Sequence, residues 1–204
     1  MFRRIHSLTG ILPMGLYLFE HFFTNSFSWQ GRAAYNAKVD FLRSMPYLFG
    51  IEMGLIFIPF GFHILYGWYI MLSNQPNIIR YPYARNWMYY FQRVSAIFVF
   101  FFIVFHVWTL RFAHDPDVLD FYFLLSTLFA DPLFVTVYVI GVAATVFHFC
   151  NGLCTFCMTW GITVGPTSQR WVARGAIALG VIMGIVAVRS IFGFVDPVAE
   201  GLVL

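Results

Sequence analysis

His21, His63, His106 and His148 each lie inside a long apolar stretch of the chain. An imidazole at membrane depth is costly, and such a side chain there marks a functional site by default. Neutral imidazole is also a strong iron ligand, and a low-spin haem takes two axial ligands. Four histidines on four spanning helices therefore point to two bis-histidine haems buried in a bilayer. The competing chemistry is hydrogen bonding between helices or a proton relay. No comparable array of carboxylates accompanies the histidines.

Composition says what must position them. The chain has 204 residues, of which 60% are hydrophobic, 21% aromatic and 10% charged. A water-soluble domain of this size carries roughly 25% charged residues. Val94–Leu110 and Pro132–Cys150 contain no Asp, Glu, Lys or Arg, and about 20 apolar residues cross the hydrocarbon core as a helix. Residues 1–204 therefore read as one integral membrane domain, all-α, without a sizeable soluble part. Met1–Leu8 lacks the apolar core and cleavage site of a removable signal peptide, so the first apolar helix is expected to stay in the mature protein.

Five spans are expected, at about 7–27, 49–73, 86–112, 132–159 and 170–193. Breakers support the gaps: Asn74-Gln75-Pro76, Tyr81-Pro82, Asp115-Pro116, Asp131-Pro132 and Gly165-Pro166. Arg3, Arg4, Arg80, Arg85, Arg93, Arg170 and Arg174 fall on one side with no acidic residue. Arg32, Lys38, Arg43, Arg111 and Arg189 fall on the other with every Asp and Glu. The positive-inside rule puts the first set and the N-terminus in the cytoplasm, and five spans put the C-terminus outside. Tyr35, Val39 and Leu42 follow a helical rhythm between the first two spans. They form either a short helix on the outer surface or a packed loop, and Val118–Phe129 reads the same way.

Depth sorts the histidines, since two ligands of one haem share a level on neighbouring helices. At about 1.5 Å per residue, His63 lies roughly 15 Å and His148 roughly 17 Å from the inner ends of their spans. His21 lies roughly 21 Å and His106 roughly 28 Å deep. His63 thus pairs with His148 toward the cytoplasm, and His21 with His106 toward the outside. Helices I–IV then form a bundle around two stacked b-type haems, with the fifth packed outside. Gly67 and Gly152, each one turn past a histidine, leave room for a porphyrin edge or serve small-residue packing. His6, beside Arg3, Arg4 and Ser7, sits where haem propionates need donors, whereas His114 reads as a solvated loop residue. Cys150, Cys154 and Cys157 read as small apolar packing residues rather than a redox pair, and no Cys-x-x-Cys-His attaches a haem covalently.

Several motifs go further. They are Phe2-Arg3-Arg4-Ile5-His6-Ser7-Leu8, Glu20-His21, Phe62-His63-Ile64-Leu65-Tyr66-Gly67, Arg85-Asn86-Trp87 and Gln92-Arg93-Val94. To these are added His106-Val107-Trp108, Phe147-His148-Phe149-Cys150-Asn151-Gly152-Leu153 and Thr159-Trp160-Gly161-Ile162-Thr163. In order and spacing they resemble the cytochrome b558 anchors of bacterial succinate dehydrogenases, single-polypeptide, two-haem membrane subunits of menaquinone-using organisms. A related pattern has Gln where this chain has Glu20, so Glu20 takes no role from the family.

The resemblance implies a bacterial cytoplasmic membrane, flavoprotein and iron–sulfur partners on the cytoplasmic face, and no nucleic acid. It implies two haems b, and electrons running from the iron–sulfur subunit through the inner and then the outer haem to menaquinone. His63 and His148 would hold the higher-potential inner haem, and His21 and His106 the lower-potential outer one. Arg3, Arg4, His6, Ser7, Trp87 and Arg93 are the donors available to propionates, although Arg93 serves equally as an interfacial arginine. Glu52 is the candidate for protonating quinone, against the alternative of a headgroup-level carboxylate. The chain has no flavin or dinucleotide motif and no iron–sulfur cysteine array, so it belongs to the enzyme as an electron-transfer and quinone-reducing subunit. Fumarate reductases share the architecture, and the complex has the option of a higher oligomer. Di-haem cytochrome b subunits of hydrogenases or formate dehydrogenases, and a histidine-relay transporter, are the competing readings.

Overall fold

A computed structural model describes residues 1–75, 77–113 and 120–195. Pro76, His114, Asp115-Pro116, the start of the Val118–Phe129 segment and the C-terminal end lie outside the described residues.

The described chain is helical, with no strand. Among the described residues, four helices are long and apolar enough to cross a membrane: Leu48–Ser73, Ala84–Phe112, Pro132–Thr159 and Pro166–Val195. The first apolar segment differs from the single helix expected at 7–27. It begins earlier and consists of α1 (Phe2–Ile11) and α2 (Pro13–Ser26), which meet at Leu12 with φ −76° and ψ −72°. Pro13 explains the break, because it lacks the N–H that would bond one turn back and its ring crowds the preceding residue.

The second span is composite. Helix α4 (Leu48–Ile51) runs into a π-helical turn, Glu52–Phe57, and then into α5 (Ile58–Ser73). The third span is α6 (Ala84–Val107), ending in a second π-helical turn, Trp108–Phe112. Helix α8 (Pro132–Thr159) starts on an Asp131 cap whose side chain accepts from the Leu133 N–H, and α9 (Pro166–Val195) starts on Pro166. Both prolines sit in the first turn, where a missing N–H is tolerated.

The two segments left open between helix and loop are both helical: α3 (Arg32–Arg43) and α7 (Phe121–Phe129). They pack at the end of the molecule that carries Asp40, Glu52, Asp120 and Asp131. There Tyr35 of α3 and Tyr122, Leu125 and Phe129 of α7 bury together with Tyr138, Ile191 and Phe194. A second cluster, Phe22, Val146, Cys150, Ala176, Met183 and Ala187, seats α9 against α8 and α2. Cys150 is a packing residue, since its Sγ lies 3.4 Å from where a Cβ on Gly180 would stand. The opposite, basic end is tied by Arg85 Nη2 donating to Gln169 Oε1 at 2.6 Å and Trp160 Nε1 donating to Ser7 Oγ at 3.1 Å. Leu65, Leu72, Phe98, Phe101, Val181, Ile182 and Ile185 stand exposed along the long helices, an apolar exterior suited to lipid.

Candidate haem-binding site

The long helices bring the four histidines together in two facing pairs. Toward the basic end His63 of α5 meets His148 of α8, ring centroids 6.4 Å apart and planes crossed at 86°. Toward the acidic end His21 of α2 meets His106 of α6 at 5.7 Å and 88°. An imidazole–metal bond runs about 2 Å, and roughly 1 Å separates ring nitrogen from centroid, so two ligands on opposite sides of one metal have centroids about 6 Å apart. Both pairs stand close to that spacing. Two imidazoles per level suit an iron whose remaining positions are filled by a macrocycle.

The Nδ1 nitrogens of three of these rings are also held. His63 Nδ1 lies 3.0 Å from the His6 carbonyl and 3.4 Å from Thr9 Oγ1. The Thr9 hydroxyl itself donates to that same carbonyl at 2.9 Å. His148 Nδ1 lies 3.2 Å from the Gln92 carbonyl and 3.3 Å from Ser95 Oγ. His106 Nδ1 lies 3.2 Å from the Tyr138 hydroxyl. An Nδ1–H donated outward leaves Nε2 bare for a metal and fixes the ring's direction, the usual arrangement around metal-bound histidine.

Polar side chains in the apolar spans build this support. Gln92 Nε2 donates to the His148 carbonyl at 3.0 Å, while Asn151 Nδ2 donates to Gln92 Oε1 at 2.6 Å and to the Met88 carbonyl at 3.1 Å. Helices α6 and α8 are thereby locked around His148. Asn25 Nδ2 donates to the His21 carbonyl at 2.8 Å and its Oδ1 accepts from Tyr35 at 3.3 Å, linking α2 to α3.

His6 lies closer to the site than a surface position would put it. Its ring stacks on His63 at 4.1 Å and 9°. Gly67 faces it, with a would-be Cβ 3.2 Å from His6 Nε2, and Gly152 faces Gln92 Nε2 at 3.4 Å. Both glycines therefore admit polar side chains from neighbouring helices. Ser7 donates to the Arg4 carbonyl at 2.9 Å, and the Arg4 guanidinium lies 5.7 Å from the Trp160 ring centroid. Arg3 is exposed on α1. Arg93 donates to the Asn74 carbonyl at 2.6 Å and to the Tyr89 hydroxyl, so it ties α6 to the end of α5. Trp87 stands nearly two turns before Arg93 on α6, against Phe91 at 5.6 Å.

Similarity to known proteins gives the family. The model of the succinate dehydrogenase/fumarate reductase transmembrane subunit family matches residues 72–188. The succinate dehydrogenase cytochrome b558 subunit of Bacillus subtilis (strain 168) is 37% identical over 194 residues, which cover 95% of this chain and 96% of that relative. This chain belongs to that family. It is a transmembrane subunit of the succinate dehydrogenase/fumarate reductase type and acts as a membrane anchor.

At the acidic end of the anchor, Glu52 is ion-paired. Its Oε2 pairs with Arg111 Nη2 at 3.1 Å, and each partner belongs to one of the two π-helical turns. Such turns recur at functional sites. Gly10, whose would-be Cβ lies 2.6 Å from His63 Cε1, Thr9, Ser95, Tyr138 and Asn25 are the site residues that sequence reasoning passes over. Ser95 and Asn25 carry a usable signal, polarity inside an apolar span; Gly10 and Tyr138 carry none in a chain with 16 Gly and 11 Tyr.

Proposed function

We propose that this anchor is the electron-conducting subunit of a bacterial succinate:menaquinone oxidoreductase, carrying flavoprotein and iron–sulfur partners on its cytoplasmic face. The observation that carries the reading is the pair of facing imidazole couples at successive levels of one helix bundle. His63 and His148 hold an inner haem b, and His21 and His106 an outer one. Each haem, when bound, supplies an iron that accepts and releases single electrons between the iron–sulfur subunit and quinone.

The chain's own residues do the rest. The His6 and Gln92 carbonyls orient the inner ligands, and Tyr138 orients His106. Arg3, Arg4, Ser7, Trp87 and Arg93 supply donors at the basic end for propionates, with His6 packed beside them on His63. Glu52, paired with Arg111, is the carboxylate that relays protons to quinone at the acidic end. The first segment, Phe2–Ser26, crosses as a kinked fifth span, which places the N-terminus in the cytoplasm and the C-terminus outside.

A reduced-minus-oxidised spectrum of the purified complex, with succinate as reductant, tests this. Haem absorbance that appears on adding succinate supports the reading. Haem that responds only to dithionite, hydrogen or formate overturns it in favour of another quinone-linked complex, and a colourless preparation overturns it in favour of a histidine relay.

A further inference from the structure

The two levels support their ligands differently. His63 and His148 each have a main-chain carbonyl at Nδ1, which no substitution removes, beside the Thr9 and Ser95 hydroxyls at 3.4 and 3.3 Å. His106 addresses a side chain, the Tyr138 hydroxyl at 3.2 Å. We propose that Tyr138 is a positioning residue for His106 and lowers the reduction potential of the haem held by His21 and His106. The inference rests on the assignment of those two histidines to the outer haem.

Tyr138 is 5% exposed, and its ring is fixed from three helices. Phe134, one turn earlier on α8, stacks on it at 4.6 Å and 26°; Phe129 of α7 meets it edge-on at 4.9 Å and 83°, and Phe102 of α6 at 5.3 Å and 87°. These contacts need only the ring. A buried hydroxyl without a partner is unfavourable by roughly 1–3 kcal/mol, so a phenylalanine would suit a merely structural position better. The partner of that hydroxyl in the cluster is His106 Nδ1.

The direction of the hydrogen bond follows from ligation. Nε2 bare for the iron leaves the proton on Nδ1, so His106 donates and the Tyr138 oxygen accepts. Donation makes the imidazole more basic. A more basic ligand favours the more positive iron, which lowers the potential.

Redox titration of the purified complex carrying Tyr138→Phe tests this. The outer haem's midpoint is expected to rise, the inner haem's to stay, and the ferric low-spin resonance of the outer haem to change. Unchanged midpoints with full haem content overturn the proposal. If Tyr138→Phe instead loses the outer haem, Phe134→Leu decides, because it removes a packing ring and no hydroxyl. Retention of the outer haem there supports the hydrogen bond, and loss there overturns it in favour of packing alone. His106→Ala separates this inference from its premise. Retention of both haems in that variant defeats the ligand assignment, whereas loss of the outer haem beside an inert Tyr138→Phe defeats only the role of Tyr138.

Discussion

A Cβ added to Gly10 would stand 2.6 Å from His63 Cε1 and 3.1 Å from its Nδ1. The His63 ring is already pinned between the His6 ring on one side and the His6 carbonyl on its edge, so it has little room to retreat. Overpacking at a fixed site costs about 1–3 kcal/mol, and here the displaced group is a proposed metal ligand. Gly10→Val should therefore remove more than half of the inner-haem absorbance from the purified complex and leave the outer-haem component in place. Gly61→Val is the control: nothing lies within 4 Å of its would-be Cβ, and both components should persist. The histidines are legible in the sequence because they are rare and unfavourable where they stand. Gly10 is not, since its meaning is a distance across two helices. Tyr138 is hidden for a related reason, as one aromatic in a chain with 26 Phe and 11 Tyr.

At the scale of elements, α3 and α7 close the acidic end, and Asp120 joins them. Its carboxylate accepts from Asn36 Nδ2 at 2.8 Å, caps α7 through the Phe123 N–H at 2.9 Å, and pairs with Arg32. Partial burial pushes the carboxyl up, but the hydrogen bonds from Asn36, Phe123 and Arg32 and the charge of Arg32 outweigh that and hold its pKa below the usual value. A group whose pKa is depressed by folding adds stability above the unfolded pKa, about 4, and loses it as pH falls through the folded one. Asp120→Ala should cost about 1–2 kcal/mol near neutral pH, the range for a lost helix cap. Asp120→Asn, which keeps an acceptor oxygen, should cost about 1 kcal/mol or less, as for an exposed ion pair. Thermal unfolding of the detergent-solubilised complex checks both, and the gap between wild type and Asp120→Asn should close below about pH 4. The long spans were legible because length and apolarity announce them. Composition does not decide between helix and loop for α7 and α3, because a nine-residue or twelve-residue helix takes its stability from the aromatic cluster beneath it. The break at Leu12 was written in Pro13, yet apolar composition runs straight across it.

The whole molecule is an asymmetric ladder. Among the described residues, one end carries arginines without carboxylates and lies beside the His63–His148 couple, which contacts His6 of the N-terminal helix. The other end carries Asp40, Asp120, Asp131, the Glu52–Arg111 pair and the helices α3 and α7, and lies beside the His21–His106 couple, tied through Asn25 and Tyr138 to α3 and the aromatic cluster. If electrons enter from partners at the basic end, the two couples act in series and their variants should differ in kind. His63→Ala removes the rung nearest the donor. The outer haem should then stay oxidised on mixing with succinate, while dithionite, which reaches it without the ladder, should still reduce it fully. His106→Ala removes the far rung. Its inner haem should be reduced by succinate at the wild-type rate, and quinone reduction should fall to a small fraction of normal. Parallel entry would give the same succinate response in both variants, and entry from the acidic end would exchange their phenotypes. Stopped-flow absorbance at the haem bands with each reductant distinguishes the three cases. Serial order from the basic end is the outcome expected if the partners dock there, as proposed.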